Sequence, residues 1–251
     1  MSSTKLCIVI PCFDEYKRLP EQDFRRFLDQ TSDTVICFVN DGSTDKTLEK
    51  LNSIHDDYPQ STLVIDNPKN LGKAESIRNG ILQLSKSQNF QHFAYLDADL
   101  ATSLEECRSL LNRLENGLSF VFASRILKIG SVVERKFSRF LFGRIIATFI
   151  SNILGIAVYD TQCGCKVFKS ELVPILFDQP FISKWLFDVE LFSRLLSHYG
   201  KTTALSKMEE IPVKRWVDQG DSKVKLSYFF RLWYDLFLIR RAHRKDYKFS
   251  G

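Results

Sequence analysis

Phe93-Ala94-Tyr95-Leu96-Asp97-Ala98-Asp99 decides the fold, because a short apolar run there breaks off into two aspartates one residue apart. A run of that length, bounded by turn residues, reads as a buried strand. The same shape recurs on either side. Leu6–Ile10 ends in Pro11-Cys12-Phe13-Asp14-Glu15, and Thr34–Asn40 ends in Asp41-Gly42-Ser43; Leu63–Ile65 and Ser119–Ala123 complete the candidate strands. Between them, Asp45 to Ile54 and Lys73 to Ser85 carry apolar residues at helical spacing, and Ser103 with Glu106 opens a third helix in capping-box form. Strands alternating with helices predict an α/β fold, a mostly parallel twisted sheet flanked by helices and Rossmann-like in its first half, with ligands at the C-terminal ends of the strands.

The chain has 251 residues, 44% hydrophobic and 26% charged, which suits one domain with a sizeable core. The six cysteines, at positions 7, 12, 37, 107, 163 and 165, lie mostly inside apolar runs and imply no disulfide framework. Cys163 and Cys165 stand too close for the usual zinc spacing, and no second Cys/His pair completes a site. Met1 to Thr4 leads straight into the first strand without a basic segment, an apolar segment or a cleavage site, so the expectation is a cytoplasmic protein. The longest uncharged apolar stretch, Ile145 to Tyr159, falls short of the ~20 residues a spanning helix needs.

Net charge is +5, unevenly spread. Arg125 to Arg144 sums to +5 and Val213 to Lys248 to +6, which leaves the rest of the chain at −6. An acidic body with basic patches should meet something anionic on its basic part.

In a parallel sheet the strand ends share one edge, so Asp14, Glu15, Asp41, Asp97 and Asp99 are expected to converge on one crevice. Gathered carboxylates need a cation or hydrogen-bond donors. Asp97 and Asp99 suit a hard divalent ion, which would neutralise a departing diphosphate. Asp41 would accept from base N–H groups, and Asp14 or Glu15 would hold ribose hydroxyls. Lys73 and Arg78, on the helix after Asn70-Leu71-Gly72, would add positive charge, and Gly72 would let the backbone approach a phosphate. Each motif alone is commoner as a turn, a cap or a solvated charge; their order after successive strands is what makes them specific.

With these residues in place, the sequence resembles glycosyltransferase family 2 from about Cys7 to about Lys223. The matching blocks are IVIPCFDE (Ile8 to Glu15), VNDGSTDKT (Val39 to Thr47), NLGKAESIRNG (Asn70 to Gly80), DADLAT (Asp97 to Thr102) and ASR (Ala123 to Arg125). DTQCGCKVF (Asp160 to Phe168) and WLFDVEL (Trp185 to Leu191) look like its dolichyl-phosphate β-glucosyltransferase branch. Asn40 stands where an acid is common, and Cys165 where Phe is usual. The resemblance implies an A-type glycosyltransferase fold, a nucleoside-diphosphate sugar donor, Mg²⁺ or Mn²⁺, and inversion at the anomeric carbon. By position it implies Asp41 at the base, Asp97 at the ribose or metal, Asp99 at the metal, and Pro11 and Glu15 lining the nucleoside pocket. The organisation expected is a single domain over 1–251, with a nucleotide-sugar-binding half at 1–124, an acceptor half at 125–225 and a basic amphipathic C-terminal helix at 226–251.

A polyprenyl phosphate acceptor is already anionic, so cations matter more than a strong base. Arg125, Arg135, Arg139, Lys166, Arg215 and Lys223 are the candidates for its phosphate. Asp188, then Asp160, are the candidates for orienting or deprotonating the acceptor. Leu226, Phe229, Phe230, Trp233, Tyr234 and Phe237 fall at helical spacing before Arg240, Arg241, Arg244 and Lys245, the pattern of an interfacial helix. With the basic aromatic stretch Lys136 to Tyr159, this predicts peripheral membrane contact. The competing readings are a GDP-mannose donor or a soluble glycan acceptor, and, in another class, a binding module that has lost turnover. Nucleic acid is not expected, since no RNA-binding aromatic motif or zinc-finger spacing accompanies the basic patches.

Overall fold

The computed structural model describes residues 6–134, 137–217 and 228–243. In chain order the strands are β1 (Leu6–Cys12), β2 (Thr34–Asn40), β3 (Thr62–Asp66), β4 (His92–Leu96), β5 (Phe120–Ser124), β6 (Val132–Glu134), β7 (Cys165–Lys169), β8 (Met208–Pro212) and β9 (Arg215–Val217). The helices are α1 (Glu21–Gln30), α2 (Thr47–Asp57), α3 (Lys73–Ser87), α4 (Leu104–Ser109), α5 (Leu111–Glu115), α6 (Phe137–Leu154), α7 (Val173–Phe177), α8 (Phe187–Tyr199), α9 (Lys201–Ser206) and α10 (Tyr228–His243).

Seven strands form the main sheet in the order β3-β2-β1-β4-β7-β5-β8. β1 pairs in parallel with β2 and β4, β2 with β3, and β5 with β8; β7 runs antiparallel between β4 and β5. β6 and β9 form a separate two-stranded parallel sheet.

Strand alternation divides the core into two layers. Val9, Val39, Tyr95, Phe122 and Phe168 face α3, α7 and α8, with Ile150 of α6 and Leu236 of α10 behind them. Ile8, Phe38, Leu96, Val121 and Val167 face α1, α2, α4 and α5. Burial on both sides explains why β1, β2, β4 and β5 read as continuous apolar runs. Gly80 sets the depth of α3, because a Cβ there would lie 2.9 Å from methyls of both Val39 and Val9. The helix therefore sits close to the sheet, and its first residue, Lys73, reaches the strand ends.

The capping box forms in half: Ser103 Oγ accepts from the Glu106 amide at 3.2 Å, while the Glu106 carboxylate turns to the amide of Lys214 instead. The C-terminal stripe flanks the packed side of its helix. Leu232, Leu236 and Ile239 are the buried face of α10; Trp233 packs edge-on against Phe149 of α6, and Tyr234 and Phe237 are exposed. Of the expected stripe, Trp233 is thus partly covered while Tyr234 and Phe237 stay open, and the side of α10 covered by the core is the neighbouring one. Leu226, Arg244 and Lys245 lie outside the described residues. No helix among the described residues is long and apolar enough to cross a membrane.

Candidate active site

The ends of β1 and β2 are knitted together by short polar contacts. Asp14, at a φ of 51°, accepts at Oδ1 from the Thr44 amide at 2.8 Å, and its own amide donates to Ser43 Oγ at 3.1 Å. The Glu15 amide donates to Thr47 Oγ1 at 2.8 Å, and its carboxylate pairs with Arg18 at 2.6 Å. Pro11, the penultimate residue of β1, is half-buried.

Asp41 goes elsewhere. It is buried, with Oδ1 accepting from the Leu71 amide and Oδ2 from the Gly72 amide, both at 2.8 Å, and Asn67 adds a bond to Oδ1 at 3.2 Å. Gly42 permits this approach, since a Cβ there would come within 2.5 Å of the Lys69 backbone. Asp41 thus shapes the loop that delivers Lys73.

At the end of β4 the two aspartates of the opening motif remain half-buried. Lys73 forms an ion pair with Asp97 Oδ1, in which the side chains keep 40% and 34% exposure. The ammonium also lies 5.8 Å from the centre of the Phe187 ring. Asp99 Oδ1 accepts from the Ala101 amide at 3.1 Å. Burial, and then the negative charge of Asp97, push the Asp99 carboxyl above its ordinary range. Two half-open carboxylates one residue apart, the charge of Asp97 bearing on Asp99, fit a divalent cation, and an all-oxygen donor set selects a hard one. The expected gathering of five carboxylates is corrected: among the described residues no three His, Cys, Asp or Glu side chains group to hold a metal, because Asp41, Asp14 and Glu15 are engaged in their own loops. Asp97 and Asp99 alone would hold the ion, with water and ligand oxygens completing its shell.

Behind this pair lies a buried one. Lys166 has no solvent exposure, and its ammonium sits 2.5 Å from Asp188 Oδ1 and donates to the Cys163 carbonyl at 2.7 Å. The Tyr95 hydroxyl donates to the same Asp188 oxygen. Burial, and then the Asp188 charge, push the Tyr95 phenol well up, so it stays a donor. Asp188 lies in the first turn of α8, where an acidic residue also complements the helix N-terminus.

At the end of β5, Arg125 clamps Asp160 through two hydrogen bonds of 2.6 and 2.8 Å, and its amide adds a third at 3.0 Å. Burial raises the Asp160 pKa, but the charge and hydrogen bonds of Arg125 outweigh this and hold it down to about 2. The guanidinium also lies 5.3 Å from the Trp216 ring centre.

A model of the family described as glycosyl transferase family 2 matches residues 7–175. The chain belongs to that family. Its relatives include a dolichyl-phosphate β-glucosyltransferase of Trichomonas vaginalis, 31% identical over 94% of this chain and 73% of that protein. The dolichyl-phosphate β-glucosyltransferase of Homo sapiens is 30% identical over 92% of this chain and 78% of that protein. Glucosyl-3-phosphoglycerate synthase of Mycobacterium tuberculosis, solved with UDP, matches with a TM-score of 0.65 at 13% identity, over 96% of this chain and 80% of that one. That likeness carries the fold, the A-type glycosyltransferase sheet.

In this family 2 glycosyltransferase the residues singled out from sequence separate into three groups. Lys73, Asp97, Asp188 and Lys166 come together on the face of the sheet that carries Tyr95, with Asp99 close enough for its charge to act on Lys73. Asp160 and Arg125 lie nearby but bind each other, so Asp160 is a holder of Arg125 rather than a proton acceptor. Lys166, expected at an acceptor phosphate, is closed off from solvent by Asp188. Arg78 also departs from expectation: it donates to the carbonyls of Phe177 at 2.8 Å and Asp178 at 2.7 Å and ties α3 to the end of α7. Arg215 is exposed and lines a groove of about 420 Å³ with Leu100 and Ala101, just beyond Asp99. Arg139 lies in the first turn of α6, and Arg135 and Lys223 lie outside the described residues.

Sequence reasoning missed Tyr95 and Gly164. The Tyr95 signal was present as a polar-tipped residue in an otherwise apolar strand; Gly164 sits inside the block that carried the branch resemblance.

Proposed function

We propose that this glycosyltransferase moves glucose from UDP-glucose to the phosphate of a polyprenyl phosphate at a membrane surface, with inversion. The observation that carries the reading is the half-open Asp97 and Asp99 pair at the sheet edge, with Lys73 on Asp97 and the Lys166–Asp188–Tyr95 group behind it. The names of the relatives support the acceptor and the sugar. The fold neighbour has been solved with UDP and Mn²⁺ and with UDP and Mg²⁺, which supports the nucleotide and the metal.

A divalent cation on Asp97 and Asp99 would supply neutralisation of the diphosphate as it departs. The chain's own groups do the rest. Lys73 stands beside Asp97 to add a second positive charge to the leaving group. Lys166 and Tyr95 fix Asp188 in one orientation, so its carboxylate can align the acceptor rather than rotate freely. Asp160 fixes Arg125 near the strand edge, where a cation draws in the acceptor phosphate. A phosphate oxygen is already a nucleophile near neutral pH, and direct displacement needs no sugar-enzyme intermediate. The exposed Leu141, Ile145 and Phe149 of α6 and Tyr234 and Phe237 of α10, with exposed Arg240 and Arg241, form an apolar and basic surface suited to an anionic leaflet.

The test is to incubate the purified protein with UDP-glucose, Mg²⁺ or Mn²⁺ and polyprenyl phosphate in vesicles, then to extract lipid-linked hexose. A lipid-linked glucose product is expected. Product from GDP-mannose alone would replace the donor, and UDP release without lipid product would replace the acceptor.

A further inference from the structure

Three of the four buried side-chain atoms without a hydrogen-bond partner among the described residues belong to residues next in sequence to the Arg125–Asp160 clamp: Ser124 Oγ before Arg125, and Thr161 Oγ1 and Gln162 Nε2 after Asp160. The fourth, Asn40 Oδ1, lies apart at the end of β2. Ser124 and Thr161 are almost wholly enclosed. Orphaned buried polar atoms are costly, and a folded protein rarely keeps three at one turn of chain and its paired strand end without a use.

The strand register locates them. Leu96 pairs with Cys165, so one step on, Asp97 stands opposite Gly164; Phe122 pairs with Lys166, so two steps on, Ser124 also stands opposite Gly164. Asp97, Gly164 and Ser124 therefore form a row across the sheet edge. Alternation puts Ser124 on the face of Phe122, the face that carries Tyr95 and the core above it. Gly164 leaves a slot in the middle of that row, and the Asp97 carboxylate fills it: a Cβ on Gly164 would overlap that carboxylate. The Asp97 side chain leans over the glycine while bound to Lys73. Turning Asp97 outward to a cation would empty the slot between it and Ser124.

We infer that the slot over Gly164 seats hydroxyl groups of the transferred sugar, with Ser124 Oγ, Thr161 Oγ1 and Gln162 Nε2 as its hydrogen-bonding partners, and that Asp97 closes it until a cation draws the carboxylate away. This rests on the nucleotide-sugar reading above and assigns that site's sugar-binding groups. Two hydroxyls and an amide N–H offer donors and acceptors together, which suits a neutral polyol. The three atoms carry no charge of their own, and the nearby cations Arg125 and Lys166 are each held by an aspartate, Asp160 and Asp188. The slot lies between the metal-binding pair and Arg125, where a sugar passing from diphosphate to acceptor must sit.

The experiment measures affinity for UDP and for UDP-glucose, each with Mg²⁺, by calorimetry on the whole chain. In the wild type UDP-glucose is expected to bind more tightly than UDP. Ser124→Ala, which removes one oxygen atom, and Gln162→Leu should each weaken UDP-glucose about tenfold and leave UDP within about twofold. Gly164→Ala should fill the slot and abolish the advantage of UDP-glucose while UDP still binds. A series of UDP-deoxyglucoses adds a readout that a purely structural role would not move: one of them should bind the wild type and Gln162→Leu equally. Parallel loss of both ligands in the variants, or no change in either, would overturn the sugar seat and leave the nucleotide reading standing. A wild type that binds neither ligand would overturn both.

Discussion

Two lysine–aspartate pairs stand on the same face of one sheet and differ almost entirely in setting. Lys73 and Asp97 meet at 40% and 34% exposure, while Lys166 and Asp188 meet at 0% and 5%. The outer pair can exchange partners with a ligand, since water already competes for both groups and an exposed pair is worth at most about 1 kcal/mol. The inner pair cannot, because separating it would strand a charge in the core. The same two residue types therefore supply a replaceable contact and a fixed one. An enzyme that must release one charge while holding another needs both.

Asp188→Ala would break the inner pair and leave Lys166 buried without its carboxylate. It should cost about 3–5 kcal/mol of stability in urea denaturation, and a loss below about 1 kcal/mol would show that Lys166 escapes to water. Asp99→Asn keeps the shape of the outer site and removes charge, so turnover of UDP-glucose should fall by roughly 10² with the urea midpoint unchanged. Full turnover in that variant would sink the metal assignment.

A third pair sharpens the contrast through pH. The Asp160 pKa is about 2 in the folded chain against 3.8 for a free carboxyl, so its contribution is complete above 3.8 and is lost as pH falls towards 2. The gap in stability between the wild type and Asp160→Asn should narrow by about 2 kcal/mol across that window, and a gap constant with pH would count against the Arg125 clamp. The smallest effect is expected for Lys73→Met, at less than about 1 kcal/mol of stability but with slower turnover. Equal destabilisation by Lys73→Met and Asp188→Ala would erase the distinction between the two pairs.

The strand ends and first helices were legible because they are local: LCIVI, TVICFVN and FAYL are buried on both faces and look it. The partners of the charges were not legible. Asp41 binds amides 30 and 31 residues away, which no turn pattern announces. Arg78 has the spacing of a ligand-facing residue on α3, yet its carbonyl partners come from a segment about 100 residues later. Lys166 sits in Cys-Lys-Val-Phe-Lys, where a lysine next to cysteine reads as solvated; only the insertion of β7 between β4 and β5 puts it inside. The buried side of α10, Leu232, Leu236 and Ile239, was not legible for a related reason, since helical spacing gives a stripe but not which neighbour covers the helix.

The position of β5 also bears on how the chain is made. Its strand neighbours, β7 and β8, both come later in the sequence. During synthesis Phe-Val-Phe-Ala-Ser must wait for about forty more residues before it can hydrogen-bond into the sheet, exposing an apolar edge of the kind that aggregates or recruits chaperones. Ribosome-bound chains halted before Cys165 should therefore be the most chaperone-dependent, and those released after Pro212 the least.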